Sequence, residues 1–330
     1  MLDLKSPELK FALEAVRQAS RLVQTVQAEM VSSALTKGDK SPVTVADFAA
    51  QALVAKLMID AFPADPLVGE EDSAALQTPE EAETLARVTQ FVAGPLPEAT
   101  RDRVCTWIDH GNAAPAARFW TLDPIDGTKG FLRGQQYVVA LALLLDGQVE
   151  IGVLGCPNLV DGSIQQIGGP GSLVAAVRGQ GTWVTSLDGA GDFTQLHVSG
   201  RDNPADARLL RSYEAGHTNV SQLDILGENM GVAAEPVRLD SQAKYAILAA
   251  GGGDLLFRLI SPKMPDYREK IWDQAAGSLV VQEAGGTVTD LDGKPLDFTA
   301  GAMLTNNRGV LASNGPLHAP ALQAIKQLGA

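Results

Sequence analysis

The amino-acid sequence predicts an α+β fold over residues 1–199 joined to an α/β fold over residues 200–330. Three observations lead there. The first sixty residues carry apolar stripes at helix period, and the stretch from 119 to 184 reads as short β-rich runs separated by tight turns. After about Ser199, strand-like and helix-like runs alternate. Tight local turns produce antiparallel pairs, whereas alternation implies crossover connections over a sheet.

Each element has its own signal. Ser6 can cap a first helix and Pro7 suits its first position; Leu9, Leu13, Val16, Val23, Val26 and Met30 then form one apolar stripe. A second helix is expected from about Thr44 to Phe62, where Pro63 stops it, placing Asp47 in its first turn near the positive end of the helix dipole. Leu67 and Val68 lead into Gly69-Glu70-Glu71-Asp72. Residues 74–117, rich in Ala, Glu, Pro and Gly, read as peripheral helices and loops.

A strand over 119–122 runs into Asp123, and strands over 137–145 and 148–156 meet across Asp146-Gly147, a dipeptide that favours a two-residue hairpin turn. Runs at 173–177 and 182–184 make another pair. In the second half, strands are expected at 237–239, 255–259 and 287–289, with helices at 241–250 and 275–284. Gly285-Gly286 ends the latter helix and Pro316 opens a final one.

Composition narrows the function. With 330 residues, 45% of them hydrophobic, the chain can bury a large core. A net charge of −13 argues against a surface that tracks a nucleic acid polymer, since such binding rests on Lys and Arg against phosphates. A small phosphorylated ligand stays open, because a few local cations and bound metals can meet its charge. No apolar run approaches the roughly 18 residues of a membrane span. Two cysteines, Cys105 and Cys156, are too few for a secreted disulfide scaffold, and Cys156 lies in an apolar strand where a core role is expected. The expectation is a monomer in the cytoplasm, or in an organelle after removal of a transit peptide, that is not secreted and has no membrane partner.

The most informative segment is Asp123-Pro124-Ile125-Asp126-Gly127-Thr128-Lys129-Gly130-Phe131. Two carboxylates separated by Pro-Ile at a strand end can be aimed at one point, with the Ile125 carbonyl between them; hard cations such as Mg²⁺ favour this oxygen set. Gly127-Thr128 then opens a helix, so backbone N–H groups and the Thr128 hydroxyl can receive a phosphate oxygen. A bare Asp-x-x-Asp-Gly is more often an ordinary turn. The Glu70–Glu71 pair, Asp47, and Asp273 at a predicted helix start each have an equally plain explanation as solvated or capping residues. Their combination matters, because a two-metal phosphoryl-transfer site needs carboxylates from distant segments.

The segments Ser41 to Asp47, Val68-Gly69-Glu70-Glu71, Trp120 to Phe131 and Lys270-Ile271-Trp272-Asp273 resemble, in order and spacing, the metal motifs of the lithium-sensitive, inositol monophosphatase-like phosphatases. Gly130 to Gly134, Gly155 to Leu159 and Leu239 to Tyr245 resemble more narrowly the 3′(2′),5′-bisphosphate nucleotidases of fungi and plants. The resemblance implies a layered αβαβα sandwich with the active site between its halves. It implies Mg²⁺, two or three ions per site, held by Glu70, Asp123, Asp126, Asp273 and the Ile125 carbonyl, with Asp47 and Thr128 handling the attacking water. It implies contacts to a small nucleotide substrate from Thr128, His217, Ser241, Lys244 and Arg258. Gln274 stands where related sequences often carry His, and two extra residues lie between Arg258 and Asp273.

The implied reaction is metal-assisted hydrolysis of adenosine 3′,5′-bisphosphate to AMP and phosphate. An inositol polyphosphate 1-phosphatase would share every metal motif, and a nucleotide-binding regulator would share the pocket without needing a poised water.

Overall fold

A computed structural model describes residues 2–31, 41–189, 191–213 and 220–328. Helix α1 (Pro7–Val26) is capped as expected: Ser6 Oγ accepts from the Leu9 N–H at 3.3 Å, and the stripe from Leu9 to Val26 is buried. A short π-helical stretch, Gln27–Val31, extends it. Helix α2 (Ser41–Ala61) starts three residues before the expected Thr44. Proline is tolerated in a first turn, where its missing N–H has no intrahelical partner to lose. Asp47 therefore sits in the second turn of α2, a correction to the first-turn placement that weakens any direct dipole effect on it.

Strand β1 (Leu67–Gly69) is followed by α3 (Ala82–Ala93) and α4 (Arg101–Asp109). Strand β2 (Arg118–Asp126) runs into the five-residue helix α5 (Thr128–Leu132). Strands β3 (Val138–Leu145) and β4 (Gln148–Cys156) form the expected hairpin, with Asp146 at φ 48° and Gly147 at φ 78°. Both central residues of the turn are thus left-handed, the conformation whose twist matches the strands. A small hairpin of β5 (Leu159–Val160) and β6 (Ile164–Gln165) precedes β7 (Ser172–Val177), β8 (Gly181–Ser186) and β9 (Thr194–Leu196).

The second half contains β10 (Leu209–Arg211), α6 (Val220–Asn229), β11 (Val237–Arg238), α7 (Ala243–Ala249), β12 (Leu255–Arg258), α8 (Ala275–Glu283), β13 (Thr287–Thr289), β14 (Val310–Ser313) and α9 (His318–Leu328). Of these, β10, α6 and β14 carried no separate sequence signal, nor did β5, β6 and β9 in the first half. Apolar runs this short do not reveal their period.

Among the described residues, the larger sheet has seven strands in the order β1-β2-β3-β4-β7-β8-β9, and the other has five in the order β11-β10-β12-β14-β13. Only β1–β2 is a parallel pair in the larger sheet, as the local turns required. The five-stranded sheet is mixed: β10 runs parallel to β11 and β12, and β14 antiparallel to β12 and β13.

The layering follows from which side chains face where. Along β3, Val139, Leu141 and Leu143 join the core beneath α1 and α2, while Val138, Ala140, Ala142 and Leu144 join a second core with α7 and α8. A strand buried on both faces reads as a continuous apolar run, which is how 138–145 looks in sequence. Helices α7 and α8 bring Ala246, Ile247, Leu279 and Val280 into that second core, which also takes Leu210, Leu256 and Ala312 from the five-stranded sheet. The far face of that sheet packs Leu255, Phe257 and Leu311 against α6 and α9. The result is helix, sheet, helix, sheet, helix: the expected αβαβα sandwich.

Candidate active site

Parallel pairing of β1 with β2 sets Gly69 opposite Leu122, so Glu70, the first residue past the end of β1, follows beside Asp123 of β2. The sequence reading ended the strand at Leu122; instead β2 continues to Asp126 through an irregularity. Asp123 pairs with Ala140 and Asp126 with Val138, three residues on β2 against two on β3. In a regular strand, positions three apart point to opposite faces. One inserted residue returns Asp126 to the face of Asp123.

Gly127 follows at φ 91°, and a side chain there would meet the Ser241 Cβ at 2.8 Å. The turn thus needs glycine for its conformation and for the close approach of the other half of the chain. Ser241 is itself left-handed, at φ 69°. This strained backbone brings the Gln242 N–H to Asp126, where it donates to Oδ2 at 2.6 Å.

A cavity of about 440 Å³ collects these groups. Its wall carries Glu70, Asp123, Ile125, Asp126, Thr128 and Asp273. It also carries Arg211, Arg238, Lys244 and Arg258, along with Ser212, Tyr213 and Ser241. Asp47 is buried close by, where Glu71 and Glu70 raise its pKa further after burial itself. Of the expected residues only His217 escapes description, since it lies outside the described residues.

The carboxylates repel one another. Burial raises Asp123 first, and Glu70, Asp126, Asp273 and Asp47 all add to the rise. Glu70 is raised by burial, then lowered by a hydrogen bond with Asp123 and raised by Asp126. Asp273 is pushed up to about 8 by burial, against the opposing pull of Arg258, and Glu71 up to about 7 by burial and Glu70. Among the described residues, Asp47 Oδ1 and Asp123 Oδ1 are buried with no hydrogen-bond partner. Buried, unpaired acceptors beside repelling charges cost stability unless a cation completes them.

Among the described residues, no three Asp, Glu, His or Cys side chains stand close enough together to enclose an ion unaided. The donor set lining the cavity is all oxygen, which fits a hard divalent cation.

The cations are arranged differently. Lys244 Nζ, buried, donates to Ser212 Oγ at 3.1 Å; burial lowers its pKa to about 8 although Asp126 pulls the other way. Arg258 is held by Glu269, through Nε at 3.2 Å and Nη2 at 2.5 Å, and its Nη2 lies 4.0 Å from Asp273. Gln274 donates from Nε2 to Glu269 at 2.8 Å and accepts from the Tyr245 hydroxyl. Gln242 ties the same region together, donating to the Trp272 carbonyl at 3.1 Å and accepting from the Gly277 N–H at 3.0 Å.

Sequence reasoning missed Glu269, Gln242 and the structural part of Gln274. A buried glutamine carries no local pattern, and only the oddity of Gln274 beside Asp273 pointed at any of them.

The inositol monophosphatase family model matches residues 4–329. The chain is 42% identical over 325 residues to a 3′(2′),5′-bisphosphate nucleotidase of Schizosaccharomyces pombe, covering 93% of this chain and 91% of that one. It is 42% identical over 338 residues to a protein of the same name from Oryza sativa, covering 97% and 93%. Among solved structures, an IMPase of Thermotoga maritima superposes with a TM-score of 0.64 at 19% identity, covering 98% of both chains. An inositol monophosphatase from Anabaena gives 0.63 at 20%, covering 97% and 94%. At such identities the solved structures speak for the fold alone.

Proposed function

The chain belongs to the inositol monophosphatase family, and on that premise we infer that it is a 3′(2′),5′-bisphosphate nucleotidase, a hydrolase that takes adenosine 3′,5′-bisphosphate to AMP and phosphate. Relatives of that name at 42% identity over nearly the whole chain support the reading. One observation in the structure carries it furthest: a single cavity is lined both by the carboxylates and by Lys244, Arg258, Arg211 and Arg238, with Arg258 Nη2 4.0 Å from Asp273. A substrate with two phosphates suits such a mixed wall, one phosphate met by metal and the other by cationic side chains.

Family membership brings dependence on a divalent metal. We take that metal as Mg²⁺, two or three ions held by Glu70, Asp123, Asp126, Asp273 and the Ile125 carbonyl. When bound, it supplies positive charge that acidifies water and steadies the leaving 3′-oxygen. Asp47 takes the proton of the attacking water, directly or through the Thr128 hydroxyl, and the unpartnered Oδ1 of Asp47 supports this assignment. Thr128, Ser241, Lys244 and Arg258 hold the nucleotide, with His217 at its base. Arg258 does so from a guanidinium already held by Glu269, so it presents a fixed edge.

The phosphosulfate analogue of the substrate belongs to the same reading, as does inhibition by lithium, an ion of lower charge competing for a metal position. The two halves, 1–199 and 200–330, are read as two domains with the site between them, sharing one core. No helix among the described residues is long and apolar enough to cross a membrane. Cys105 and Cys156 are buried free thiols, which supports work in the cytoplasm or an organelle rather than outside the cell, and the state proposed is a monomer.

Phosphate release from adenosine 3′,5′-bisphosphate and from inositol 1,4-bisphosphate, each with and without Mg²⁺, tests the reading. Faster turnover of the inositol compound would assign an inositol polyphosphate 1-phosphatase instead. Nucleotide binding without phosphate release would leave a regulator.

A further inference from the structure

We infer that Gln51, a fully buried residue of α2, is the positioning residue that sets where Glu70 stands. The inference rests on the reading of Glu70 as a cation ligand. Glu70 lies just past the end of β1, in a segment whose own ladder partner ends at Gly69. Beyond that point the backbone needs another partner to hold it.

Gln51 supplies it. Its Oε1 accepts from the Glu71 N–H at 3.0 Å, and its Nε2 donates to the Glu71 carbonyl and, at 2.9 Å, to the Ile108 carbonyl of α4. The side-chain amide pairs with both polar groups of one residue, as a neighbouring strand would.

The surroundings are cut to fit it. A Cβ on Gly69 would stand 2.5 Å from Gln51 Oε1, and one on Gly111 would stand 2.5 Å from its Nε2. The Gly69 N–H meanwhile donates to the Gly111 carbonyl at 2.8 Å. Two glycines pair backbone to backbone and leave between them the space that the amide fills. Glu70 is therefore held on both flanks, by Gly69 in the ladder and by Glu71 on the amide. Further along, Asp109 of α4 accepts from the Ser73 N–H at 2.8 Å and its hydroxyl at 2.7 Å.

The chemistry of the residue suits the place. An amide both donates and accepts in one plane, which neither a carboxylate nor an ammonium can do. It does so without charge, beside Asp47 and Glu71, whose carboxyls are raised by burial and then further by neighbouring carboxylates. Gln51 also lies four residues after Asp47, so one face of α2 carries both. The helix thus fixes the water-handling carboxylate and the loop bearing Glu70 relative to each other.

The test is a Mg²⁺ titration read by thermal unfolding, without turnover, on the wild type and two variants. Gln51→Met keeps the length of the side chain and removes its hydrogen bonds. Gly111→Ala keeps the amide but crowds it, since the new Cβ would stand 2.5 Å from its Nε2. In each, the Mg²⁺ midpoint rises by about tenfold or more, as for loss of a group that orients a ligand. The Glu71 amide exchanges hydrogen faster in the metal-free protein, and KM for the nucleotide stays within about twofold. Met58→Ala, a cavity in the same helix, lowers the unfolding temperature without moving the midpoint. If both variants lose stability yet keep the wild-type midpoint, Gln51 is only a packing residue and the inference falls. A wild-type protein that gains no stability from Mg²⁺ would instead overturn the ligand reading beneath it.

Discussion

The carboxylates carried by β1, β2 and α2 are unbalanced. Burial raises Asp47, Glu70 and Asp123, neighbouring carboxylates add to each rise, and two buried oxygens lack partners. Around α7, β12 and the approach to α8, most polar side chains have partners. Arg258 has Glu269, Glu269 has Gln274, Gln274 has Tyr245, and Lys244 has Ser212. The first set is complete only with added cations, so its cost is held until they bind. The second is a pre-organised surface that receives an anion without rearranging, which lowers the cost of binding.

The contrast breaks most visibly at Asp123. Asp123→Asn removes a ligand charge, so turnover should fall by about 10³-fold or more. The metal-free protein should be as stable as wild type or more so, because a repelling buried charge is gone. Phosphate release and thermal unfolding measured together check this; near-normal turnover would remove Asp123 from the metal site.

Asp47→Asn should lower kcat by about 10²-fold with little change in nucleotide affinity, the pattern of a lost general base. Running the assay across a wide Mg²⁺ range sharpens the assignment, since full rescue at high Mg²⁺ would make Asp47 a ligand.

Among the partnered side chains, Lys244→Met should weaken a bisphosphate substrate by roughly 1.5–3 kcal/mol, the worth of a charged hydrogen bond. Adenosine 3′-monophosphate, which lacks the second phosphate, should be affected far less. An equal loss on both substrates would show that Lys244 serves the fold and not the second phosphate.

The smallest effect concerns pH. Asp273 near 8 and Glu71 near 7 are raised above their unfolded values, mainly by burial. A raised group contributes stability below its unfolded pKa, and that contribution is lost as pH climbs through the folded value. The metal-free protein should therefore lose a few degrees of unfolding temperature between about pH 5 and pH 8.5. Saturating Mg²⁺ should remove the slope. A metal-free protein that gains stability over that range would mean that the carboxylates are already neutralised from within.

Much of this was legible in the chain. Periodicity gave α1 and the run that became β3, and Asp146-Gly147 gave the hairpin turn. The carboxylates between Asp47 and Asp273 came together in the sequence through their resemblance to the family's motifs, and the structure gathers Glu70, Asp123, Asp126 and Asp273 around one cavity. What stayed hidden depends on neighbours. Strands of two to four residues such as β10 and β14 are stabilised by partners distant in sequence, so nothing local announces them. Gln51, Gln242 and Gln274 look alike on the page, and burial beside particular backbone groups is what makes them clamps. The spacing of Asp123 and Asp126 suggested a turn. That both carboxylates face one way was decided by the inserted residue in β2 against β3, because side-chain direction in a strand depends on register, and register is a property of the pair.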